Sequence, residues 1–254
     1  MLSKEDLFFA STIMNNKFMN TQEMDNLLAS LDKDDYGKTL CQILEEKNFL
    51  TKADVEKLRQ KNQVAPSEIF IVDFEVEKEL GRGNAWITFL GRQLSREISV
   101  TIKILLPSLG GGAEWLKHLS THPLLGPHIH PPVSRLLEYG ECDPWFYLVE
   151  EYTPGISLQD KIARDGPFSP SAWRPLLAEA FSGLSFGQEH GLPHGDIRPE
   201  NFVVTASGHM KWSDFGLPKP PSIYREPCFL APEEKESPAT PSLPSDLYRL
   251  GMLS

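Results

Sequence analysis

The chain opens with apolar positions spread among Lys and Glu in a helix-favouring texture and changes, beyond Val64, to the texture of strands. Residues up to about Asn62 are rich in Leu, Met, Lys and Glu, with one glycine and no proline, which suits helices. Pro66 ends that pattern, and IFIVDFEVEKEL and ISVTIKILL then show the β-branched, partly alternating run of strands. The expected organisation is an all-α region over residues 1–63, a linker at 64–69 and a second domain over 70–254.

The helical region contains a repeat. FMNTQEMDNLL, from Phe18, matches FLTKADVEKLR, from Phe49, 31 positions on, and Phe9, Ala10 and Ile13 fall opposite Leu40, Cys41 and Leu44. Each copy reads as a helical hairpin. Asn20 or Thr21 with Glu23, and Thr51 with Asp54, have the form of an N-cap followed by an acidic residue in the first turn, where backbone N–H groups lack partners. Two such hairpins pack as a small four-helix unit that buries the Phe, Leu and Met faces. It serves either as a spacer or as a module that binds a partner or dimerises.

Charge and cysteine content narrow the classes. A formal net charge of −10 leaves no basic surplus for general nucleic-acid binding. The three cysteines, Cys41, Cys142 and Cys228, lack metal-ligand or disulfide-framework spacing, which fits a reducing cytoplasm. No apolar run approaches the length that spans a bilayer, and the N-terminus lacks a signal-peptide pattern, so the expectation is a soluble protein with no membrane segment.

The second domain carries ordered motifs: LGRGNAWITFLG (Leu80 to Gly91), VTIK ending in Lys103, LVEEYTPG, HGDIRPEN, DFG (Asp214 to Gly216), APE (Ala231 to Glu233) and SDLYRLGML. Each alone is weak, but in this order they resemble the glycine-rich loop, lysine strand, hinge, catalytic loop, metal-binding motif, activation-segment end and buried helix of eukaryotic-like (Hanks-type) Ser/Thr protein kinases. The resemblance implies an α+β, bilobal kinase-like fold with a β-rich N-lobe and a helical C-lobe. It also implies ATP and Mg²⁺ as cofactors, a protein substrate or signalling partner, and phosphoryl transfer to Ser or Thr.

Phosphoryl transfer needs positioning and charge neutralisation more than covalent help, which explains the residue types. By resemblance, Gly81 and Gly83 let backbone approach the phosphates, and Lys103 pairs with the α- and β-phosphates. Asn201 and Asp214 are the metal ligands, Asp196 orients the acceptor hydroxyl, and Arg198 stands where the family has the γ-phosphate lysine. Thr88 and Thr101 lie over the adenine, Val203 lies beneath it, and Glu150, Glu151 and Tyr152 form the hinge. Read without the resemblance, Asp196, Asn201 and Asp214 are ordinary turn residues.

Several positions depart from the family. Gly195 replaces the arginine that receives an activation-loop phosphate, leaving Ser222 and Tyr224 as hydroxyls without that receptor. Thr88 and Thr101 add hydroxyls to an apolar adenine ceiling. Trp86 replaces the third glycine of the loop, and either folds over the phosphates or covers the lobe; the cover is the expected role. Setting Leu116 and Leu119 as the apolar pair of the following helix puts Gly112 where the family has its lysine-pairing glutamate, with Glu114 rotated by about 200°. Glu150, at the gatekeeper position, is the expected replacement partner for Lys103, unless it turns to solvent; Glu226 is similarly placed to pair with Arg198.

Three functions therefore compete: an ATP- and Mg²⁺-dependent Ser/Thr protein kinase, a pseudokinase scaffold or nucleotide sensor, and a small-molecule phosphotransferase similar to aminoglycoside kinases. SDLYRLGMLS begins the family's buried helix, and the expectation is a C-terminally truncated lower lobe. In it Asp246 holds the catalytic loop, Leu247, Leu250, Met252 and Leu253 are partly uncovered, Glu233 is unpaired or paired locally, and activity is weak.

Overall fold

A computed structural model describes residues 3–32, 35, 37–61, 64–83, 86–106, 112–125, 130–217, 230–236 and 242–253. These fall into two compact units, one of the described residues up to Leu116 with Tyr139–Val149, the other of Lys117–Glu138, Glu150 to Leu217 and the described residues after that.

The first unit begins with four helices, α1 (Lys4–Asn15), α2 (Thr21–Ala29), α3 (Leu40–Glu46) and α4 (Lys52–Lys61). Each starts at a residue whose side chain accepts from the N–H three positions on: Ser3, Asn20, Thr39 and Thr51. The third residue of each helix returns the bond to the cap N–H, so two otherwise unpartnered donors are satisfied at every start. Asn20, not Thr21, is the cap of α2. Positions 31 apart behave alike: Lys17 and Asn48 are left-handed at φ 60° and 59°, and Phe18 and Phe49 are 40% and 49% exposed. Met24 and Val55, and Leu27 and Leu58, are buried in one core with Ile13, Leu40 and Leu44. Asp6 Oδ1 accepts from Leu40 N at 2.7 Å and so ties the two hairpins together.

After a 3-10 turn at Pro66–Glu68 come β1 (Phe74–Arg82), β2 (Trp86–Gln93), β3 (Ile98–Leu105), α5 (Gly112–Leu119), β4 (Leu136–Cys142) and β5 (Trp145–Glu151). The sheet runs β1-β2-β3-β5-β4, with β1–β2 and β2–β3 antiparallel. Its buried side chains include Phe89, Val100, Ile102 and Ile104.

The second unit holds β6 (Gly155–Ser157), α6 (Leu158–Asp165), α7 (Pro170–Glu189), β7 (Phe202–Thr205), β8 (Met210–Trp212), α8 (Pro232–Glu236) and α9 (Leu243–Met252). Strands β6, β7 and β8 form a three-stranded antiparallel sheet. Gly183 of α7 lets the helix close on the Trp212 indole, since a Cβ there would lie 2.4 Å from Nε1. Leu247 and Met252 are 54% and 59% exposed, as expected, but Leu250 is fully buried. Asp246 and Leu250 are four apart and share one helix face, and that face of α9 packs inward against α7. No described helix is long and apolar enough to cross a membrane.

Candidate active site

The loop between α7 and β7 is held from beneath by backbone anchors. Asp246 Oδ2 accepts from His194 N at 2.6 Å and Oδ1 from Gly195 N at 3.0 Å. Gly195 has φ 79°, a left-handed conformation that suits glycine and strains an arginine. The buried His194 ring sits 4.9 Å from Trp212 and edge-on to Phe215. Its Nε2 lies 3.0 Å from Ser213 O, and its Nδ1 accepts from Asp196 N at 3.2 Å. A neutral imidazole protonated on Nε2 satisfies both bonds.

Asn201 closes the loop. Its Nδ2 donates to Asp196 O at 2.7 Å and to Asp196 Oδ2 at 3.2 Å, which fixes the carboxylate. Its Oδ1 is buried and has no hydrogen-bond partner among the described residues. Ser213 N and Oγ both donate to Asn201 O, at 2.8 and 3.2 Å, so the residue preceding Asp214 is bonded to the loop. Asp214 is buried at φ 62°, a left-handed conformation uncommon for non-glycine residues. Arg198 is buried with Nη2 3.4 Å from Glu200 Oε1. Its expected partner, Glu226, lies outside the described residues, as do Ser222 and Tyr224.

Sequence reasoning missed His122. Its Nε2 lies 3.1 Å from Gly216 O, directly after the Asp-Phe pair, and Leu124 N donates to Nδ1 at 3.3 Å. Burial pushes its pKa down to about 4. A histidine followed by proline at the end of α5 was the available signal. Near the hinge, Glu150 is buried; Glu151 N donates to Arg135 O at 2.9 Å, and its carboxylate pairs with Lys211 at 2.7 Å. Tyr152 is half-buried, and Val203 pairs with Lys211 on one side and Ser157 on the other.

In the first unit, Gly81 pairs with Thr88 and Thr88 with Lys103 across β1, β2 and β3. Directly opposed residues share a face, and Thr101 lies two positions from Lys103, so Thr88, Thr101 and the buried Lys103 face the same way. Gly83 and Trp86 exchange backbone bonds of 2.8 and 3.3 Å that narrow the β1–β2 turn. Trp86 covers the lobe: it is buried, with its ring centroid 4.8 Å from that of Trp115. The apolar pair of α5 is Trp115 and Leu119, four apart, while Leu116 is only half-buried and Glu114 is exposed. The larger indole takes the inner face. At Gly112 a Cβ would lie 2.0 Å from the Phe146 ring, so this position has no room for any side chain as packed.

Residues 74–253 match the family described as protein kinase domain. The chain belongs to that family. This protein kinase is 30% identical over 194 residues to CBL-interacting protein kinase 21 of Oryza sativa subsp. japonica, covering 71% of this chain and 36% of that one. It is 26% identical over 194 residues to serine/threonine-protein kinase PknB of Mycolicibacterium smegmatis, covering 70% and 31%. The kinase thus spans about a third of the length of these relatives. The PknI kinase domain of Mycobacterium tuberculosis shares the fold at a TM-score of 0.59, with 21% identity and 74% of each chain covered. Membership of the protein kinase family implies use of ATP with a divalent metal.

Proposed function

We propose that this kinase transfers the γ-phosphate of MgATP to Ser or Thr hydroxyls of protein substrates in the cytoplasm. The carrying observation is the Asn201 amide: its nitrogen holds Asp196 while its buried oxygen has no partner among the described residues. An oriented amide oxygen and the Asp214 carboxylate are the donors a hard cation such as Mg²⁺ takes, so Asn201 and Asp214 fit the metal. When bound, that ion neutralises phosphate charge.

Asp196 orients the acceptor hydroxyl and takes its proton as the oxygen bonds to the γ-phosphorus and the bond to ADP breaks. Arg198 and Lys103 supply positive charge to the phosphates, and Gly81 and Gly83 allow backbone approach. On the family's pattern Thr88, Thr101, Glu150, Glu151, Tyr152 and Val203 are the residues that contact the base. The exposed Phe18 and Phe49 support a role for the helical hairpins in holding a partner or a second copy. Radiolabelled phosphate transfer to a Ser/Thr protein acceptor tests the reading, with Asp196→Asn expected to lower the rate about 10²- to 10⁴-fold. Equal incorporation by the variant overturns it.

One observation favours a second reading, a nucleotide-binding pseudokinase. Gly112 has no room for the family's helix glutamate and Glu114 is exposed. On that reading MgATP raises the melting temperature with no phosphate transferred.

A further inference from the structure

Three charged side chains in the second unit form a buried chain of contacts that the transfer chemistry above does not use. Arg249 Nη2 donates to both oxygens of Glu234, at 2.7 and 2.6 Å, and Nη1 donates to Asp246 Oδ1 at 3.2 Å. The side chains of Arg249, Glu234 and Asp246 are 3%, 2% and 0% exposed, so solvent does not screen them. The Asp246 oxygen that receives Arg249 also receives the N–H of Gly195, and the other receives that of His194. Glu234 belongs to α8, immediately after the Ala-Pro-Glu motif, and its Oε2 also accepts from Ala231 N at 3.0 Å. The preceding Glu233 is held locally, accepting from Ser245 Oγ at 3.0 Å. One guanidinium therefore joins the helix that ends the activation segment to the carboxylate that holds the catalytic loop.

We infer that Arg249 is a positioning residue for phosphoryl transfer, coupling the placement of α8 through Glu234 and Asp246 to the loop that carries Asp196. The physical basis is the fork geometry. A guanidinium can satisfy a bidentate carboxylate with one edge and a second carboxylate with another, whereas an ammonium is a point charge that serves one at a time. With the cation removed, Asp246 keeps its two backbone donors, but neither carboxylate keeps its counter-charge in a dry interior and the tie between α8 and Asp246 is lost. The His194 and Gly195 amides, and Asp196 with them, then lose the brace that α8 supplied. The catalytic purpose rests on the kinase reading; the mechanical coupling does not.

The test uses the full chain and two readouts. Hydrogen exchange at the His194 and Gly195 amides is compared in wild type, Arg249→Met, Arg249→Lys and Glu234→Gln. Arg249→Met is expected to speed exchange at both amides at least tenfold, Glu234→Gln to do so although it touches neither amide, and Arg249→Lys to fall between. Arg249→Lys and Glu234→Gln carry the test should Arg249→Met not fold. In transfer assays kcat falls by at least tenfold in Arg249→Met and Glu234→Gln, with KM for ATP and for acceptor unchanged and partial recovery in Arg249→Lys. Unchanged exchange in Glu234→Gln overturns the coupling while leaving the kinase reading intact. Altered exchange with an unchanged kcat overturns the positioning role. No transfer by wild type overturns the kinase reading and any catalytic purpose for Arg249, and exchange then still decides the coupling.

Discussion

The two units hold their candidate functional residues by different means. In the second unit Asp196 is fixed by directional bonds, its carboxylate accepting from Asn201 Nδ2 and its N–H donating to His194 Nδ1, over a loop whose amides end on Asp246. In the first unit the neighbours of Lys103 are set by strand register and apolar packing: Thr88 opposite it, Trp86 on Trp115, and Phe146 filling the space above Gly112. The hydrogen-bonded half keeps the family's residue types at Asp196, Asn201, Asp214 and Asp246 and departs at Gly195 and Arg198, while the packed half departs at Trp86, Thr88, Thr101 and Gly112. A directional bond admits few substitutes for its donor or acceptor, whereas apolar volume can be supplied by different side chains.

The largest expected effect comes from removing the packed half's anchor. Trp86→Ala deletes a buried indole and should cost about 3–5 kcal/mol in denaturant unfolding. A loss below about 1 kcal/mol would show that packing does not hold this half, and the contrast between halves would fail.

The hydrogen-bonded half should instead answer to pH. The His122 pKa, depressed by burial to about 4 against 6.5 when unfolded, makes the folded state bind fewer protons between those values. Its contribution is therefore complete above pH 6.5 and lost as pH falls toward 4, by up to about 3 kcal/mol. Asp246 runs the other way. Burial outweighs the Gly195 and His194 N–H donors and Arg249 and raises its pKa to about 6, so its contribution is present below about 4 and lost as pH rises through 6. Comparing stability curves of wild type and His122→Gln cancels the Asp246 share, and only wild type should show the acid loss. Parallel curves would remove His122 from the account.

Gly112→Ala sharpens the comparison at a single atom. The added Cβ overlaps the Phe146 ring and should cost about 1–3 kcal/mol, relieved in Gly112→Ala/Phe146→Leu. Full additivity of the two changes would argue against their contact. The smallest effect concerns the adenine ceiling. Thr88→Val with Thr101→Ala removes two hydroxyls and should tighten MgATP binding roughly threefold to tenfold, measured by titration calorimetry. Unchanged or weaker binding would mean the hydroxyls have partners in the complex.

The sequence by itself determined what depends on neighbours in the chain. The caps at Asn20 and Thr51 bond three residues on, and alternation along β3 puts Thr101 and Lys103 on one face. The motif order likewise named Asp196, Asn201, Asp214 and Asp246. Only the tertiary structure decided which groups meet across long loops. His122 reaches Gly216 across 94 residues, Arg249 reaches Glu234 across 15, and Leu250 is covered although its helix neighbours Leu247 and Met252 are not. It also decided that Trp115, rather than Leu116, takes the inner face of α5, because Trp86 and Phe146 arrive there from strands remote in sequence. Local patterns are legible because helix and strand periods and caps act over a few residues; burial and long-range pairing depend on which distant surface is brought opposite, and no local period encodes that.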